Sequence, residues 1–324
     1  MKIVIPGGTG HLGRILTESF RRRGDEVVVL SRNVEASGAR LWDGRTAGDW
    51  AAEIDGADVV INLAGRSVDC RYGPKEREEI LRSRVDSTRA VGEAIARARQ
   101  PPALWLQAST ATIYAHRYDA PNDEYTGILG GHEPGVPDEW RFSIDVARAW
   151  EQALDDARTP CTRKVKMRMA MVMSATRGGP FHALLRHVRL GLGRFGDGRQ
   201  YMSWIHERDF VRAVQWLIRN DIDGPVNLAA PEPLPCEQFL HELREAWGTT
   251  TLAVPVGGVA LQVGAMMWRT EPELVLKSRR VMPQRLMEND FSFDFTTWHD
   301  AARDLCARWR RGVPESEVRV AAIW

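Results

Sequence analysis

The chain has 324 residues, 44% hydrophobic and 27% charged, the composition of an ordinary globular protein with one large or two smaller domains. Its 44 Lys+Arg against 43 Asp+Glu leave a formal net charge of +1, which makes no global electrostatic case for a nucleic-acid or membrane partner. The longest mostly apolar runs, at residues 59–61 with their neighbours and at 259–268, fall short of the roughly 20 residues a transmembrane helix needs; collagen-like, disordered and disulfide-scaffold classes are excluded too.

Residues 2–5 read as a short strand with no signal-peptide pattern before it. A glycine loop follows, then a helical stretch over 12–23 stopped by Gly24. Residues 26–30 are a Val-rich second strand, 40–42 a short third and 59–62 a fourth. A long helix is predicted over about 74–98, with Ile80, Leu81, Val85, Val91 and Ile95 near helical spacing, broken by Pro101 and Pro102. Residues 104–108 form a fifth strand, 140–157 a helix and 165–172 a sixth strand.

Near-continuous apolar strands alternating with helices predict a parallel sheet covered on both faces. That is an α/β, doubly wound Rossmann-type fold, with ligands at the carboxyl ends of its strands. After residue 173 the pattern changes. A Gly/Arg-rich segment, 178–198, leads to aromatic residues, a helix at 209–219, a strand at 226–229 that returns to the sheet, and further helices and loops. The expected division is residues 1–172 with 206–230 as the nucleotide-binding domain, and 173–205 with 231–324 as a smaller C-terminal substrate domain.

Four scattered cysteines, Cys70, Cys161, Cys236 and Cys306, include no CxxC. They predict neither a zinc site nor a disulfide framework, and a reducing cytoplasm is the expected compartment. His206-Glu207 begins as HExxH would, but position 210 is Phe, and no metal is expected. Nothing in the patterning indicates an oligomer.

The first loop reads Gly7-Gly8-Thr9-Gly10-His11-Leu12-Gly13, a GxxGxxG between a strand and a helix. The first glycine allows the tight turn, the second lets backbone approach a pyrophosphate, and the third lets the helix pack on the sheet. The helix N-terminus adds positive potential. This predicts dinucleotide binding. The second strand ends in Ser31-Arg32, where NAD-binding proteins place Asp or Glu for the ribose hydroxyl. A guanidinium fork suits a 2′-phosphate, so NADP(H) is the expected cofactor, against the alternative of a solvated loop arginine.

The glycine loop, together with Asn62-Leu63-Ala64-Gly65 after the fourth strand, resembles the extended short-chain dehydrogenase/reductase superfamily. Further stretches are similar to its atypical "epimerase family" group, which includes family 39U and bacterial relatives. These are Ser203-Trp204-Ile205-His206 with Asp209, Gly224-Pro225-Val226-Asn227-Leu228, and Arg279-Arg280-Val281-Met282-Pro283-Gln284-Arg285-Leu286. The resemblance spans essentially the whole chain. It implies an NADP-binding Rossmann domain, a small C-terminal substrate domain and no known substrate. It also implies cofactor contacts at Gly7, Gly10, His11, Leu12, Gly13, Ser31, Arg32, Leu63, Ala64, Gly65, Glu79 and Arg84. For Glu79 and Arg84 an ion-pair network on the helix surface is the alternative.

The superfamily's usual acid/base pair is YxxxK, one helical turn that aims both side chains at the cofactor. Four residues after Tyr72, Tyr114, Tyr118, Tyr125 and Tyr201 lie Glu76, Tyr118, Asn122, Leu129 and Ile205, none of them Lys. Counted back from Trp150-Glu151, the two positions hold Ser143 and Ala147. The remaining catalytic candidates are Ser109, matching the superfamily's catalytic serine, Tyr114 as proton donor, and His206 as a neutral-pH proton carrier. Trp204, Tyr201 and Phe195 read as an aromatic wall for a planar substrate or, alternatively, as core. Two functions follow: an NADP(H)-dependent oxidoreductase or epimerase acting on a small molecule by atypical proton transfer, or a non-catalytic NADP(H)-binding sensor or regulator.

Overall fold

In the computed structural model, residues 1–33, 38–249, 253–257 and 271–312 are described; the apolar run at 259–268 lies outside them. The strands of the first half are β1 (Lys2–Pro6), β2 (Glu26–Ser31), β3 (Arg40–Leu41), β4 (Val59–Asn62), β5 (Leu104–Thr110) and β6 (Arg163–Met169). Short strands follow: β7 (Met171–Met173), β8 (Leu192–Phe195), β9 (Tyr201–Met202) and β10 (Trp204–His206). The last three are β11 (Gly224–Leu228), β12 (Leu234–Pro235) and β13 (Val254–Val256).

Seven of these make one sheet in the order β11-β6-β5-β4-β1-β2-β3, parallel at every pairing. The helices α1 (His11–Arg22), α2 (Pro74–Arg97) and α3 (Arg141–Asp155) are the crossovers of its first half. Next come α4 (Pro180–Arg189), α5 (Glu207–Arg219) and α6 (Cys236–Trp247). The period-two alternation of strand side chains decides which residue meets which layer. Ile3 and Ile5 face Leu16 and Phe20 of α1 and Phe210 and Val214 of α5. Val4, Val60 and Trp105 face Val91 and Ile95 of α2 and Leu154 of α3. Both faces are therefore covered, which is why β1, β2 and β4 are near-continuous apolar runs, whereas β6 alternates Lys164, Lys166 and Arg168 with Val165, Met167 and Met169.

The predicted strand 165–172 is two strands. At Ala170 the backbone N–H donates to Leu228 O, and the chain then leaves the sheet so that β7 pairs with β10. This break carries the chain into a second apolar cluster built from Phe181, Phe195, Trp204, Phe239, Trp298 and Leu305. Trp298 stacks on Phe239 at 3.9 Å and its indole N–H donates to the Phe239 carbonyl. Among the described C-terminal residues, Leu286 and Phe291 join the core under the sheet.

β1 sits between β2 and β4, so the chain leaves β1 toward one side of the sheet and β4 toward the other. That switch point opens a crevice at the carboxyl ends of the strands.

Candidate functional site

A cavity of about 630 Å³ occupies this crevice. Its floor is the glycine loop. Gly7 has φ +79°, and a Cβ there would lie 2.8 Å from the Ala64 backbone. A Cβ on Gly13 would lie 2.4 Å from Gly8 Cα, so α1 seats directly on its own loop. At Gly10 an added Cβ meets only the Gly7 carbonyl, at 3.3 Å. Gly7 and Gly13 are thus required by the protein's own backbone, whereas Gly10 keeps the pocket side clear. Helix α1 starts at Gly10 with no side-chain cap and no acid in its first turn, leaving its positive end available to an anion.

The predicted binding residues Gly7, Gly10, His11, Leu12, Gly13, Ser31, Arg32, Leu63, Ala64, Gly65 and Arg84 all line this pocket. Ser31 Oγ lies 3.0 Å from Thr9 Oγ1, tying the end of β2 to the loop. Arg32 is exposed at the rim and makes no ion pair among the described residues. Arg45, also in the lining, lies 4.0 Å from Asp86. His11 is buried, and its Nε2 has no hydrogen-bond partner among the described residues. Burial pulls its imidazole down to about 4, with Arg14 adding to the effect.

Arg84 reaches the pocket from α2. Its Nη1 donates to the carbonyls of Arg66 and Ile80, and the guanidinium lies 5.0 Å from the Trp150 ring centroid. Burial pulls it down to about 10, and no carboxylate pairs with it among the described residues. Glu79 is the exception among the predicted contacts. It points away from the pocket and pairs with Arg66, because it lies on a different face of α2 from Arg84. Its role is to hold Arg66, which does line the pocket.

Of the three catalytic candidates only Ser109 lines the pocket. Its hydroxyl donates to Glu151 Oε1 at 2.6 Å. Glu151 in turn receives both arms of Arg168 at 2.8 Å, Arg168 Nη1 donates to the Tyr114 oxygen at 3.0 Å, and the Tyr114 hydroxyl donates to Asn227 Oδ1 at 2.9 Å. The expectation for Tyr114 is corrected. It is buried among Ala111, Ile113, Ala147 and Val281, and its hydroxyl is committed to structure. Burial raises it further, although Arg168 pulls the other way.

The expectation for His206 is corrected as well. It is fully buried outside the pocket lining. Its Nδ1 accepts from the Arg208 N–H as the N-cap of α5, and its Nε2 lies 3.1 Å from Asp304 Oδ2. The ring stacks on Phe295 at 3.9 Å. Burial pulls it down to about 4, more strongly than Asp304 raises it. Trp204, Tyr201 and Phe195 do not line the pocket. Trp204 packs edge-on to Trp298, Phe195 lies against His187, and Arg280 covers Tyr201.

At the two positions expected for the acid/base pair, Ser143 lines the pocket and Ala147 is buried behind it. Residues that spacing did not single out complete the wall: Tyr72, Phe142, Leu274 and Arg279 at one end, and Trp42 and Asp43 at the other. Tyr72 follows directly from the loop after β4, but a search for YxxxK on one helix passes over it. A larger groove of about 900 Å³ lies at the opposite, amino ends of the strands. Its cations are already engaged, Lys164 with the Leu154 and Ala157 carbonyls and Lys166 with Asp155. Among the described residues there is no cluster able to hold a metal ion and no helix long and apolar enough to cross a membrane.

A doubly wound parallel sheet with a glycine loop at its switch point, and C-terminal residues in the pocket wall, is the architecture of the extended short-chain dehydrogenases/reductases. The model described as the NAD dependent epimerase/dehydratase family matches residues 3–229, and the chain belongs to that family. A second model, Domain of unknown function (DUF1731), matches residues 258–305. The epimerase family protein YfhF of Bacillus subtilis is 30% identical over 320 residues, covering 95% of this chain and 98% of the relative. The epimerase family protein SDR39U1 of Homo sapiens is 29% identical over 314 residues, covering 95% and 100%. A crystal structure of human SDR39U1 (isoform 2) with NADPH superposes with a TM-score of 0.82 at 27% identity, covering 95% of this chain and 99% of that one. UDP-N-acetylglucosamine 4-epimerase from Bacillus cereus, with a TM-score of 0.71 at 18% identity and coverage of 96% and 99%, shares the fold.

Two outcomes follow from the buried polar groups. Glu151→Ala leaves the Arg168 charge buried without its carboxylate and should cost about 3–5 kcal/mol in denaturant unfolding. His206 binds a proton in the unfolded chain below about pH 6.5 but in the folded chain only below about 4. Stability should therefore fall as pH drops through that window. His206→Asn, which keeps a capping acceptor, should flatten part of that slope in urea titrations at pH 7 and pH 5.

Proposed function

We propose that this chain binds NADP(H) in the crevice and is an oxidoreductase or epimerase acting on a small molecule. The observation that carries the reading is Arg84, a buried guanidinium with no carboxylate partner among the described residues, in one pocket with the uncapped start of α1. Both supply positive potential to an anionic ligand. The residues present fit a dinucleotide. The cleared space at Gly10 beside the uncapped start of α1 suits a pyrophosphate, and Ser31 with Arg32 suits a 2′-phosphate. The NADPH in the human relative's structure supports the same choice of cofactor. Four free cysteines suit a reducing cytoplasm.

When bound, the nicotinamide supplies hydride chemistry, and the protein's part is positioning and proton transfer. Leu63 and Ala64 wall the loop side, and Gly65 lets Arg84 approach, since a Cβ there would lie 3.3 Å from the guanidinium carbon. Ser109 is held by Glu151, so its oxygen lone pairs rather than its proton face a substrate. A second reading, a non-catalytic NADP(H)-binding sensor, is favoured by Ser143 and Ala147 standing where the acid/base pair would be.

Calorimetry with NADPH and NADH tests the cofactor. NADPH should bind more tightly, and Arg32→Ala should weaken NADPH selectively by about 1.5–3 kcal/mol, the contribution of a charge-assisted contact. Equal affinity for the two cofactors would sink the NADP assignment. Gly10→Val should abolish NADPH binding with thermal unfolding still cooperative, because its side chain projects into the pocket. Retained affinity would show that the loop is only structural. Single-turnover NADPH oxidation against aldehydes, ketones and quinones separates enzyme from sensor, which should give no rate above buffer.

A further inference from the structure

Two serines line the pocket, and each has already committed its proton to a buried carboxylate. Ser109 on β5 donates to Glu151 Oε1 and Ser143 on α3 donates to Glu273 Oε2, both at 2.6 Å. A hydroxyl has one proton, so what each oxygen offers a ligand is its lone pairs. The two carboxylates differ in what holds them. Glu151 receives Arg168 on both oxygens at 2.8 Å, and protonating it would break a buried charge pair. Glu273, at the start of the short helix Glu273–Leu276, is 3% exposed, and its Oε1 is buried with no hydrogen-bond partner among the described residues. The cations that act on it are engaged elsewhere. Lys277 Nζ donates to the Thr112 carbonyl at 2.8 Å, and Arg279 donates to the Thr112 hydroxyl and the Leu274 carbonyl, both at 3.0 Å. Neither forms an ion pair with Glu273 among the described residues. Glu273 is therefore the carboxylate free to take a proton, and Ser143 stands between it and the cavity at the position counted for the missing tyrosine.

We propose that Ser143 is the catalytic residue that takes the hydroxyl proton of an alcohol substrate, with Glu273 as the positioning residue that orients the Ser143 O–H and receives its proton. The proposal rests on the oxidoreductase reading, and it makes the substrate class an alcohol oxidised by NADP⁺. The substrate O–H donates to the Ser143 oxygen while Ser143 donates to ionised Glu273. The carbinol C–H bond breaks with its electron pair, which passes as hydride to NADP⁺ to give NADPH. The substrate O–H bond breaks, its pair closes the C=O bond, its proton goes to Ser143 Oγ, and the former Ser143 proton passes to Glu273 Oε2. The products are a carbonyl compound, NADPH and a neutral Glu273 carboxyl. Once the carbonyl compound has left, that proton returns through Ser143 to water in the pocket, which restores the ionised carboxylate.

The surroundings set the pH dependence. Burial raises the Glu273 carboxyl, and Glu271 adds to the rise, while Arg279, Lys277 and the Ser143 hydrogen bond pull it down. Tyr72, in the segment after β4, is also within electrostatic reach. Above its raised midpoint Glu273 is ionised and accepts from Ser143. Below it the carboxyl already holds a proton and can take no second one, so oxidation stops. The rate should rise with pH through a midpoint above the ordinary carboxylate range.

The test uses the full chain. NADP⁺ binding is measured by calorimetry, then single-turnover NADP⁺ reduction by primary and secondary alcohols between about pH 5 and pH 9, in wild type, Ser143→Ala, Glu273→Gln and the double variant. Ser143→Ala should slow the step by about 10²–10⁴-fold with NADP⁺ affinity unchanged, and Glu273→Gln should slow it and remove the acid limb of the pH profile. Because the two residues act as one unit, the double variant should be no slower than the slower single one, whereas independent structural damage would multiply the two losses. A readout independent of turnover is the ¹³C-labelled Glu273 carboxyl titrated by NMR. Ser143→Ala removes a donor to the ionised form and should raise its midpoint. Wild-type turnover in Ser143→Ala, losses that multiply, an acid limb that survives in Glu273→Gln, a midpoint indifferent to Ser143→Ala, or NADP⁺ binding without oxidation of any alcohol overturns the proposal alone. Failure to bind NADP⁺ overturns the functional reading and the proposal with it.

Discussion

The backbone crossing at the switch point is the constraint on which the rest of the site depends. The loop after β1 and the loop after β4 approach so closely that a single Cβ at Gly7 would collide with Ala64, and one at Gly13 would collide with Gly8. These contacts bring the start of α1 to the pocket floor with its N–H groups facing the crevice. They also fix Leu63, Ala64 and Gly65 as the adjoining wall. The parallel sheet makes the crossing unavoidable, because β1 is paired on both sides and its chain must leave at the carboxyl end.

Beside that floor, a buried polar network takes up groups that could otherwise do chemistry. Ser109, Glu151, Arg168, Tyr114 and Asn227 are joined in one continuous series of hydrogen bonds. A buried charge pair needs its remaining donors and acceptors satisfied, and this one uses the hydroxyls of a serine and a tyrosine for the purpose. Ties between β5, α3, β6 and β11 are the result, and Tyr114 is withdrawn from the pocket. A different pair, Ser143 and Glu273, ties α3 to the short helix Glu273–Leu276.

The C-terminal residues reach the same crevice by two routes. One is the apolar cluster around Trp298 and Phe239, which encloses Trp204. The other is polar. Ser203 Oγ donates to the Arg279 carbonyl at 2.6 Å and accepts from the Val281 N–H at 2.9 Å, while Arg279 Nε donates to Thr112. The Ser-Trp-Ile-His stretch therefore serves as a joint. Ser203 holds the segment that places Arg279 in the pocket wall, Trp204 anchors the cluster, and His206 caps α5.

Sequence alone determined the sheet, its crossover helices and the glycine loop. These rest on local patterns, apolar runs, glycine positions and helical spacing, each readable within a few residues. It also determined that no YxxxK pair exists, since that is a question of spacing. It did not determine which polar side chains face the cavity. Tyr114 and His206 carry suitable chemistry, yet one is turned toward Asn227 and the other toward Asp304, partners 113 and 98 residues away. Glu79 and Arg84 share a helix, yet one faces Arg66 and the other Trp150. Ser143 and Glu273 lie 130 residues apart and meet only when α3 packs against the C-terminal segment. Only the tertiary structure decided these, because a side chain's hydrogen-bond partner and burial are set by whatever the fold brings next to it, and those neighbours are distant in sequence.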